Sequence, residues 1–123
     1  QDAQGQAFEL ISRFFHLLSR RRPLVLALDD LQWASATALQ LFHYLARAIR
    51  GTRILLLGSY RPEELLPGVS GDRHPLRETL QRMSRERLYG EVKLGELTDD
   101  EVAVSMDRIA RRLSELDVFV RSA

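Results

Sequence analysis

The feature that most constrains the fold of this chain is a continuous aliphatic run that ends in two adjacent carboxylates. Residues 23–28 read Pro-Leu-Val-Leu-Ala-Leu, and Asp29 and Asp30 follow directly. A strand that is apolar on both faces is typical of a parallel sheet covered by helices, and ligands bind beyond the carboxyl ends of such strands. We therefore expect a buried strand that delivers Asp29 and Asp30 to a site. Taken alone, the stretch also fits a strand followed by a solvated Asp-Asp turn.

A second apolar run, residues 53–59, predicts a neighbouring strand that runs in the same direction. The segment between the two runs contains one helix, which is expected to begin near Ser35 and to end at Gly51. A helix between two strands is the crossover that parallel pairing requires. The positions expected to be buried on this helix recur at helical spacing, and they are Ala38, Leu41, Phe42, Leu45 and Ile49.

The polar residues at the two predicted strand ends suit a polyphosphate with its metal ion. Parallel strands place Ser59, Tyr60 and Arg61 close to Asp29 and Asp30. Carboxylates hold magnesium directly or through water, and a guanidinium grips a terminal phosphate with a planar fork of donors. This pattern indicates phosphate-processing chemistry at the shared edge.

These two segments resemble parts of the P-loop ATPases of the AAA and STAND type. Leu-Val-Leu-Ala-Leu-Asp-Asp-Leu-Gln-Trp-Ala is similar to their Walker B segment, particularly in large bacterial regulators such as LuxR-type transcription factors and cyclase-linked proteins. Leu-Leu-Leu-Gly-Ser-Tyr-Arg-Pro-Glu-Glu resembles their sensor-1 strand, and the resemblance covers roughly residues 7 to 105. It implies that Asp29 supports magnesium through water, that Asp30 positions or activates the attacking water, and that Arg61 senses the γ-phosphate. Ser59 joins Asp29 and Arg61 among the expected ATP-binding residues, whereas Trp33 is expected to pack beside the site.

The resemblance implies an α/β fold with a parallel-sheet, three-layer core like that of P-loop NTPases, present here in part. Residues 1–95 would be the C-terminal half of the ATPase core, and residues 96–123 the start of a helical lid. The Gly-x-x-x-x-Gly-Lys-Ser/Thr loop is absent, and Lys93 is the only lysine. We therefore expect the chain to be a piece of a larger protein with that loop upstream, so that ATP, ADP and magnesium bind only in the parent. A degenerate ATPase without the loop is the alternative.

The remaining segments before residue 95 fit a scaffold. Residues 6–20 predict an amphipathic helix packed on the sheet, and the three arginines that follow it predict a solvated turn. Residues 62–74 predict a loop in which the two glutamates after Pro62 begin a short exposed helix. Pro75 suits the first turn of a helix that buries Leu76, Leu80 and Met83, and the alternation over residues 88–94 predicts a half-exposed edge strand.

The C-terminal segment predicts a second kind of surface. Thr98 and Glu101 form a capping box that marks a helix start. The apolar positions that follow alternate spacings of four and three, which gives one stripe. They are Val102, Met106, Ile109, Leu113 and Leu116. We expect this stripe to pack back on the core or to associate with a second copy through residues 98–116.

Composition excludes several other classes of function. Formal net charge is +1, from 18 basic and 17 acidic residues, so no bulk charge points to nucleic acid or to a membrane surface. Cysteine is absent, and the three histidines show no zinc-binding spacing. The apolar runs are far shorter than a membrane span, and a cytoplasmic location is the default expectation. Two hypotheses remain: part of an ATP-hydrolysing or ATP-gated regulatory switch, and a non-catalytic α/β interaction module without a nucleotide site.

Overall fold

The structure, a computed structural model, describes residues 2–68, 71–96 and 98–116, with side chains described as far as residue 111. Four α-helices and two strands follow one another in these ranges, with a short 3₁₀ turn after each strand. The order is α1 (Ala3–Arg21), β1 (Leu24–Leu28), a 3₁₀ turn (Leu31–Trp33), α2 (Ala36–Ala48), β2 (Ile54–Gly58), a 3₁₀ turn (Pro62–Leu65), α3 (Pro75–Arg85) and α4 (Asp99–Leu116).

The two strands pair in parallel, as the strand-helix-strand pattern predicts. The register runs from Leu24 opposite Ile54 to Leu28 opposite Gly58. The crossover helix α2 begins where expected, because the Ser35 hydroxyl accepts a hydrogen bond from the Ala38 N–H at 3.1 Å. Its carboxyl side leads into Gly51, whose φ of 76° lies in the left-handed region.

The hydrophobic core lies between one face of the sheet and helices α2 and α3. Of the positions predicted to be buried on α2, Phe42 and Leu45 are buried, whereas Ala38, Leu41 and Ile49 are only half-buried. On α3, Leu76 and Met83 are fully buried and Leu80 is half-buried, as predicted. The cluster consists of Leu31, Leu39, Phe42, Ala46, Leu65, Leu76 and Met83, with Leu28, Leu56 and Tyr60 among the residues packed against it.

The opposite face of the sheet is uncovered in the described part of the chain. Leu55 and Leu57 of β2 are 54% and 48% exposed, and Ala27 of β1 is also exposed. The prediction that both faces of the strands are buried is therefore wrong for these residues. The described ranges form a mixed helix and strand fold with a two-stranded sheet. These ranges do not form the three-layer core, because α2 and α3 cover one face of the sheet and none of the described helices covers the other.

Helix α1 packs on α2, not on the sheet face as expected. It is longer than predicted, because the Asp2 carboxylate caps its first turn by accepting from the Gly5 N–H at 2.7 Å. Phe8 meets Tyr44 of α2 with ring centroids 5.6 Å apart. Leu10, Phe14 and Leu17 remain exposed. The buried residues of α1 are Phe8, Ser12 and Ser19, so the packed face is partly polar and does not coincide with the apolar face that the sequence pattern predicts.

The end of α1 is tied to the start of β2. The Arg53 guanidinium donates to the backbone carbonyls of Ser19 and Arg20, at 2.8 and 2.7 Å. These are the acceptors that a helix leaves open in its last turn. The contact holds the carboxyl end of α1 next to the start of β2.

The predicted strand over residues 88–94 is wrong. This segment pairs with no strand in the described part of the chain, and Val92 and Leu94 are among the most exposed apolar side chains there. Alternation of apolar residues predicts a face but does not supply the neighbouring backbone that a strand needs. Leu88 alone packs against the core, after Arg87 reverses the chain with a φ of 55°.

The elements around this segment agree with the sequence. The short helix after Pro62 is present as a 3₁₀ turn, and α3 begins at Pro75. Helix α4 opens with the predicted capping box, in which the Thr98 N–H donates to Glu101 Oε2 at 3.1 Å and the Glu101 N–H donates to Thr98 Oγ1 at 3.2 Å.

The apolar stripe of α4 does not pack on the core over its described side chains. Val102, Met106 and Ile109 are all exposed. The side chains of Leu113 and Leu116 lie outside the described residues. Across the helices of the described ranges, none combines the length and the apolar content that crossing a bilayer requires.

Candidate functional site

The carboxyl ends of β1 and β2 lie side by side, as the sequence predicts. The ladder continues beyond the strands, because the Ser59 N–H donates to the Leu28 carbonyl at 3.0 Å and the Leu31 N–H donates to the Ser59 carbonyl at 2.8 Å. These bonds hold the segment that contains Asp29 and Asp30 against the segment that begins at Ser59. The five polar residues singled out in the sequence therefore leave the sheet at one edge.

A hydrogen-bonded cluster joins Asp29, Asp30 and Ser59. The Ser59 hydroxyl donates to Asp29 Oδ1, and the Asp30 N–H contacts both Asp29 Oδ1 and Ser59 Oγ, each at 3.1 Å. One carboxylate oxygen of Asp29 is thus fixed by two donors. Asp29 is exposed, so its second carboxylate oxygen is accessible to solvent.

Asp30 has a left-handed backbone conformation, with φ 55° and ψ 51°. Such a conformation costs a non-glycine residue roughly 1–2 kcal/mol, and aspartate adopts it more readily than most residues. This conformation turns the chain immediately after the strand, so the Asp30 side chain does not point in the direction that it would take if the strand continued. An adjacent carboxylate pair can then share one site although neighbouring strand residues point to opposite faces.

Gln32 is the residue that sequence reasoning missed. Its side chain is buried, with 4% exposed, between the segments that follow the two strands. Its Nε2 donates to Asp30 Oδ1 at 3.4 Å, and its Oε1 accepts from the Arg61 N–H at 3.2 Å. No periodicity marks a buried amide in a single 3₁₀ turn. The only sequence signal is a glutamine between two large apolar residues, Leu31 and Trp33.

Trp33 does not pack beside the site as expected, because its side chain is 74% exposed. Consecutive residues of a 3₁₀ turn point about 120° apart, so the three side chains diverge. Leu31 is buried in the core and Gln32 is buried between the two segments, which leaves Trp33 in solvent.

Arg61 joins the cluster through its backbone. Its N–H is bonded to Gln32, while its guanidinium is exposed and bonds to none of the described residues. An arginine that is held only through its backbone N–H can bring its guanidinium to an anion without first breaking an ion pair. The structure thus places Asp29, Asp30 and Ser59 in direct contact and links Arg61 to them through one amide.

Tyr60 points away from the carboxylates into a separate contact. Its hydroxyl donates to a Glu91 carboxylate oxygen. This hydrogen bond, together with burial, raises the pKa of Tyr60 to about 12. Tyr60 therefore stays neutral at physiological pH and ties residues after α3 to the end of β2.

Gly58 makes the close approach at this edge possible. A β-carbon at this position would lie 2.5 Å from Leu31 Cδ1 and 3.0 Å from Phe42 Cζ. Only glycine lets the buried Leu31 lie over the last residue of β2. We expect the turn that carries Asp30 and Gln32 to depend on this contact.

The donor set fits magnesium only in its usual partly hydrated form. The described residues contain no group of three or more side chains able to enclose a metal. Magnesium in phosphate-processing sites keeps several waters and takes one or two carboxylates plus phosphate oxygens. Asp29 and Asp30 match that requirement.

The histidines of the described ranges serve as structural contacts. His16 Nε2 lies 2.8 Å from the Ala48 carbonyl, and His43 Nε2 lies 3.1 Å from Glu86 Oε2. His74 Nδ1 accepts from the Leu76 N–H at 3.0 Å and caps α3. Each ring thus has a specific structural partner within the fold.

Comparison with known proteins adds no further constraint. No family model matches the chain, and no curated protein or solved structure matches it. The residues at the sheet edge are therefore the basis for any function assigned to the chain.

Proposed function

We propose that the chain is the Walker B and sensor-1 portion of an ATP-binding regulatory switch within a larger protein. The observation that carries the proposal is the cluster of Asp29, Asp30 and Ser59 at the paired carboxyl ends of parallel strands. A carboxylate oriented by a hydroxyl, with a second carboxylate next to it in the chain and an exposed arginine on the neighbouring segment, suits a metal-bound polyphosphate.

Each residue then has one role. Asp29, held by Ser59, supports magnesium through a bound water. Asp30 positions the water that attacks the γ-phosphate, and Arg61 binds that phosphate and reports its presence. Magnesium, when bound, neutralises the negative charge on the phosphate oxygens.

The proposal includes a P-loop upstream in the parent chain and a three-layer core completed by that upstream part. The exposed Leu55 and Leu57 support this, because parallel strands are stable when both of their faces are covered. Residues 96–123 would begin the helical lid. ATP binding would shift the population between open and closed arrangements of the lid, in the manner of a slow switch.

The first experiment is to sequence the gene on both sides of this segment. A Gly-rich loop ending in Lys-Ser or Lys-Thr upstream is expected. A reading frame without it would refute the switch. The 123-residue chain alone should bind ATP poorly in calorimetry, and tight binding by it would show that no upstream loop is needed.

The second experiment measures binding and turnover by the parent protein. Asp29→Ala should lower affinity for magnesium-ATP by roughly tenfold or more, since charge-assisted contacts contribute about 1.5–3 kcal/mol. Asp107→Ala, which removes an exposed surface carboxylate on α4, is the matched control and should leave affinity unchanged. Equal affinity in Asp29→Ala and Asp107→Ala would refute the metal role.

Arg61→Ala should weaken the response to ATP more than the binding of ADP, because only ATP carries a γ-phosphate. Arg111→Ala on the exposed face of α4 is the control for loss of one surface arginine. Equal losses for the two nucleotides would contradict the sensor role.

A non-catalytic interaction module is the second candidate, and the exposed apolar residues of the sheet and of α1 favour it. In that case nucleotide does not change partner binding by the parent protein, and Asp29→Ala leaves partner binding intact. Loss of partner capture in a Leu55→Ser and Leu57→Ser variant, without any effect of nucleotide, would decide for the module.

A further inference from the structure

The buried amide of Gln32 connects the two halves of the proposed site. The side chain lies between the turn after β1 and the residues after β2, with only 4% of it exposed. A buried amide is stable only when its polar atoms are bonded. Here the partners lie on different segments: Asp30 on one and Arg61 on the other.

The chemistry of the partners fixes how the amide is oriented. The Arg61 N–H is a donor, so it must face Oε1 at 3.2 Å. The Asp30 carboxylate is an acceptor, so it must face Nε2 at 3.4 Å. Among side chains of this length, only glutamine supplies an acceptor to one neighbour and a donor to an anion on the other side.

We infer that Gln32 is the positioning residue of this site, and that it sets the Asp30 carboxylate relative to Arg61. This inference rests on the proposed ATP site. Asp29 does not need this support, because the Ser59 hydroxyl and the Asp30 N–H already hold it. Among the described residues, Gln32 is the side chain that hydrogen-bonds to the exposed Asp30 carboxylate, and the same amide accepts from the Arg61 backbone N–H.

The consequence is a division between binding and turnover. Removing the amide leaves Asp29, which we assign to magnesium, in place. It frees Asp30, which we assign to the attacking water, and small errors in the placement of such a group reduce rate strongly. A Gln32 variant should therefore lose kcat while KM for ATP changes little.

Two substitutions separate the two hydrogen bonds. Gln32→Met keeps the side-chain length and removes both contacts. Gln32→Glu keeps an acceptor for the Arg61 N–H but removes the donor and sets a negative charge against Asp30. Gln40→Met, an exposed glutamine on α2, is the matched control.

The 123-residue chain itself reports the link to Arg61. Amide hydrogen exchange followed by NMR should show that the Arg61 N–H exchanges at least about tenfold faster in Gln32→Met, while Gln32→Glu and Gln40→Met keep its protection. Unchanged protection in Gln32→Met would show that the amide does not hold Arg61 and would overturn the inference.

In the parent protein, kcat should fall about tenfold or more in both Gln32→Met and Gln32→Glu, with KM for ATP within about threefold of the wild-type value. Measurements are made well below the unfolding temperature of each variant, so that the folded fraction is the same. Equal changes in kcat and affinity, or a loss that only follows the folded fraction, would reveal a structural role and refute the positioning role.

Two further variants distinguish failure of the inference from failure of the proposed function. If Asp30→Asn and Arg61→Ala lower turnover while both Gln32 variants leave kcat unchanged, the inference is wrong and the ATP site stands. If Asp30→Asn, Arg61→Ala and the Gln32 variants all leave ATP binding and turnover unchanged, the proposed function fails and the inference fails with it.

Discussion

Replacing Gly58 by alanine tests whether the turn after β1 depends on a close contact with β2. The added β-carbon would lie 2.5 Å from Leu31 Cδ1, whereas ordinary contact begins at 3.4 Å, so 3.4 − 2.5 = 0.9 Å of movement is required. Leu31 is only 3% exposed, and Phe42 blocks a second direction at 3.0 Å. The added β-carbon therefore forces the Leu31 side chain, or the turn that carries it, to shift within a packed core.

The expected cost follows from these distances. Overpacking of a buried site costs about 1–3 kcal/mol, and the lower entropy of an unfolded alanine chain offsets about 0.4–1 kcal/mol of it. We expect Gly58→Ala to lower the free energy of unfolding by about 1–2 kcal/mol. For a domain of this size, that corresponds to a fall in Tm of roughly 4–8 °C.

The assay is urea and thermal unfolding of the 123-residue chain, followed by circular dichroism. Gly90→Ala is the matched control, since nothing lies within 4 Å of a β-carbon there, and it should change stability by less than about 0.5 kcal/mol. Shortening the neighbour, in Leu31→Val, should relieve the clash. In that background Gly58→Ala should cost at least about 0.5 kcal/mol less.

Two results would refute the reasoning. One is a Gly58→Ala variant as stable as Gly90→Ala. The other is an equal cost of Gly58→Ala in the presence and absence of Leu31→Val, since the clash would then lie elsewhere.

Two pH-dependent predictions follow from the contacts around α2 and α3. Hydrogen bonds from Arg47, with Nε 2.8 Å from Glu86 Oε2, and from His43 lower the pKa of Glu86 to about 2. A lowered carboxyl pKa stabilises the fold at pH values above 4.5, the ordinary pKa of the group, and this stabilisation is lost as the pH falls towards 2. Glu86→Gln should therefore lower Tm near neutral pH, and the difference in Tm from the wild type should shrink as the pH falls from 4.5 to 2. A difference in Tm that does not change with pH would contradict this. The raised pKa of Tyr60, about 12, stabilises the fold below pH 10, and this effect is lost between pH 10 and 12. In an absorbance titration, Glu91→Gln should make Tyr60 ionise at lower pH, with a smaller shift of Tyr89, whose pKa Glu91 also raises. Tyr60→Phe should remove the larger of the two shifts. An identical titration in wild type and Glu91→Gln would show that Glu91 is not the cause.

Local structure followed from the sequence wherever short-range chemistry decides it. The Ser35 and Thr98 caps, the start of α3 at Pro75 and the turn at Gly51 are each formed by residues within four positions of one another. The parallel strands also followed, because a helix of this length between two apolar runs leaves one direction for the second run.

Packing did not follow in the same way. Helix α1 buries Phe8, Ser12 and Ser19, whereas Leu10, Phe14 and Leu17 of its apolar face stay exposed. Residues 88–94 alternate like a strand, yet no neighbouring backbone pairs with them in the described ranges. The exposure of Leu55 likewise depends on whether helices cover both faces of the sheet, and the residues of β2 alone do not show how many faces are covered.

The sequence by itself determined the chemistry at the sheet edge: two carboxylates, a hydroxyl and a guanidinium that follow two adjacent parallel strands. Only the tertiary structure decided how these groups are held. The left-handed turn at Asp30, the Ser59 bond to Asp29 and the buried Gln32 amide each depend on atoms about 30 positions apart in the chain. Hydrogen bonds at that separation form only after the strands pair, and no local pattern of residues encodes their geometry.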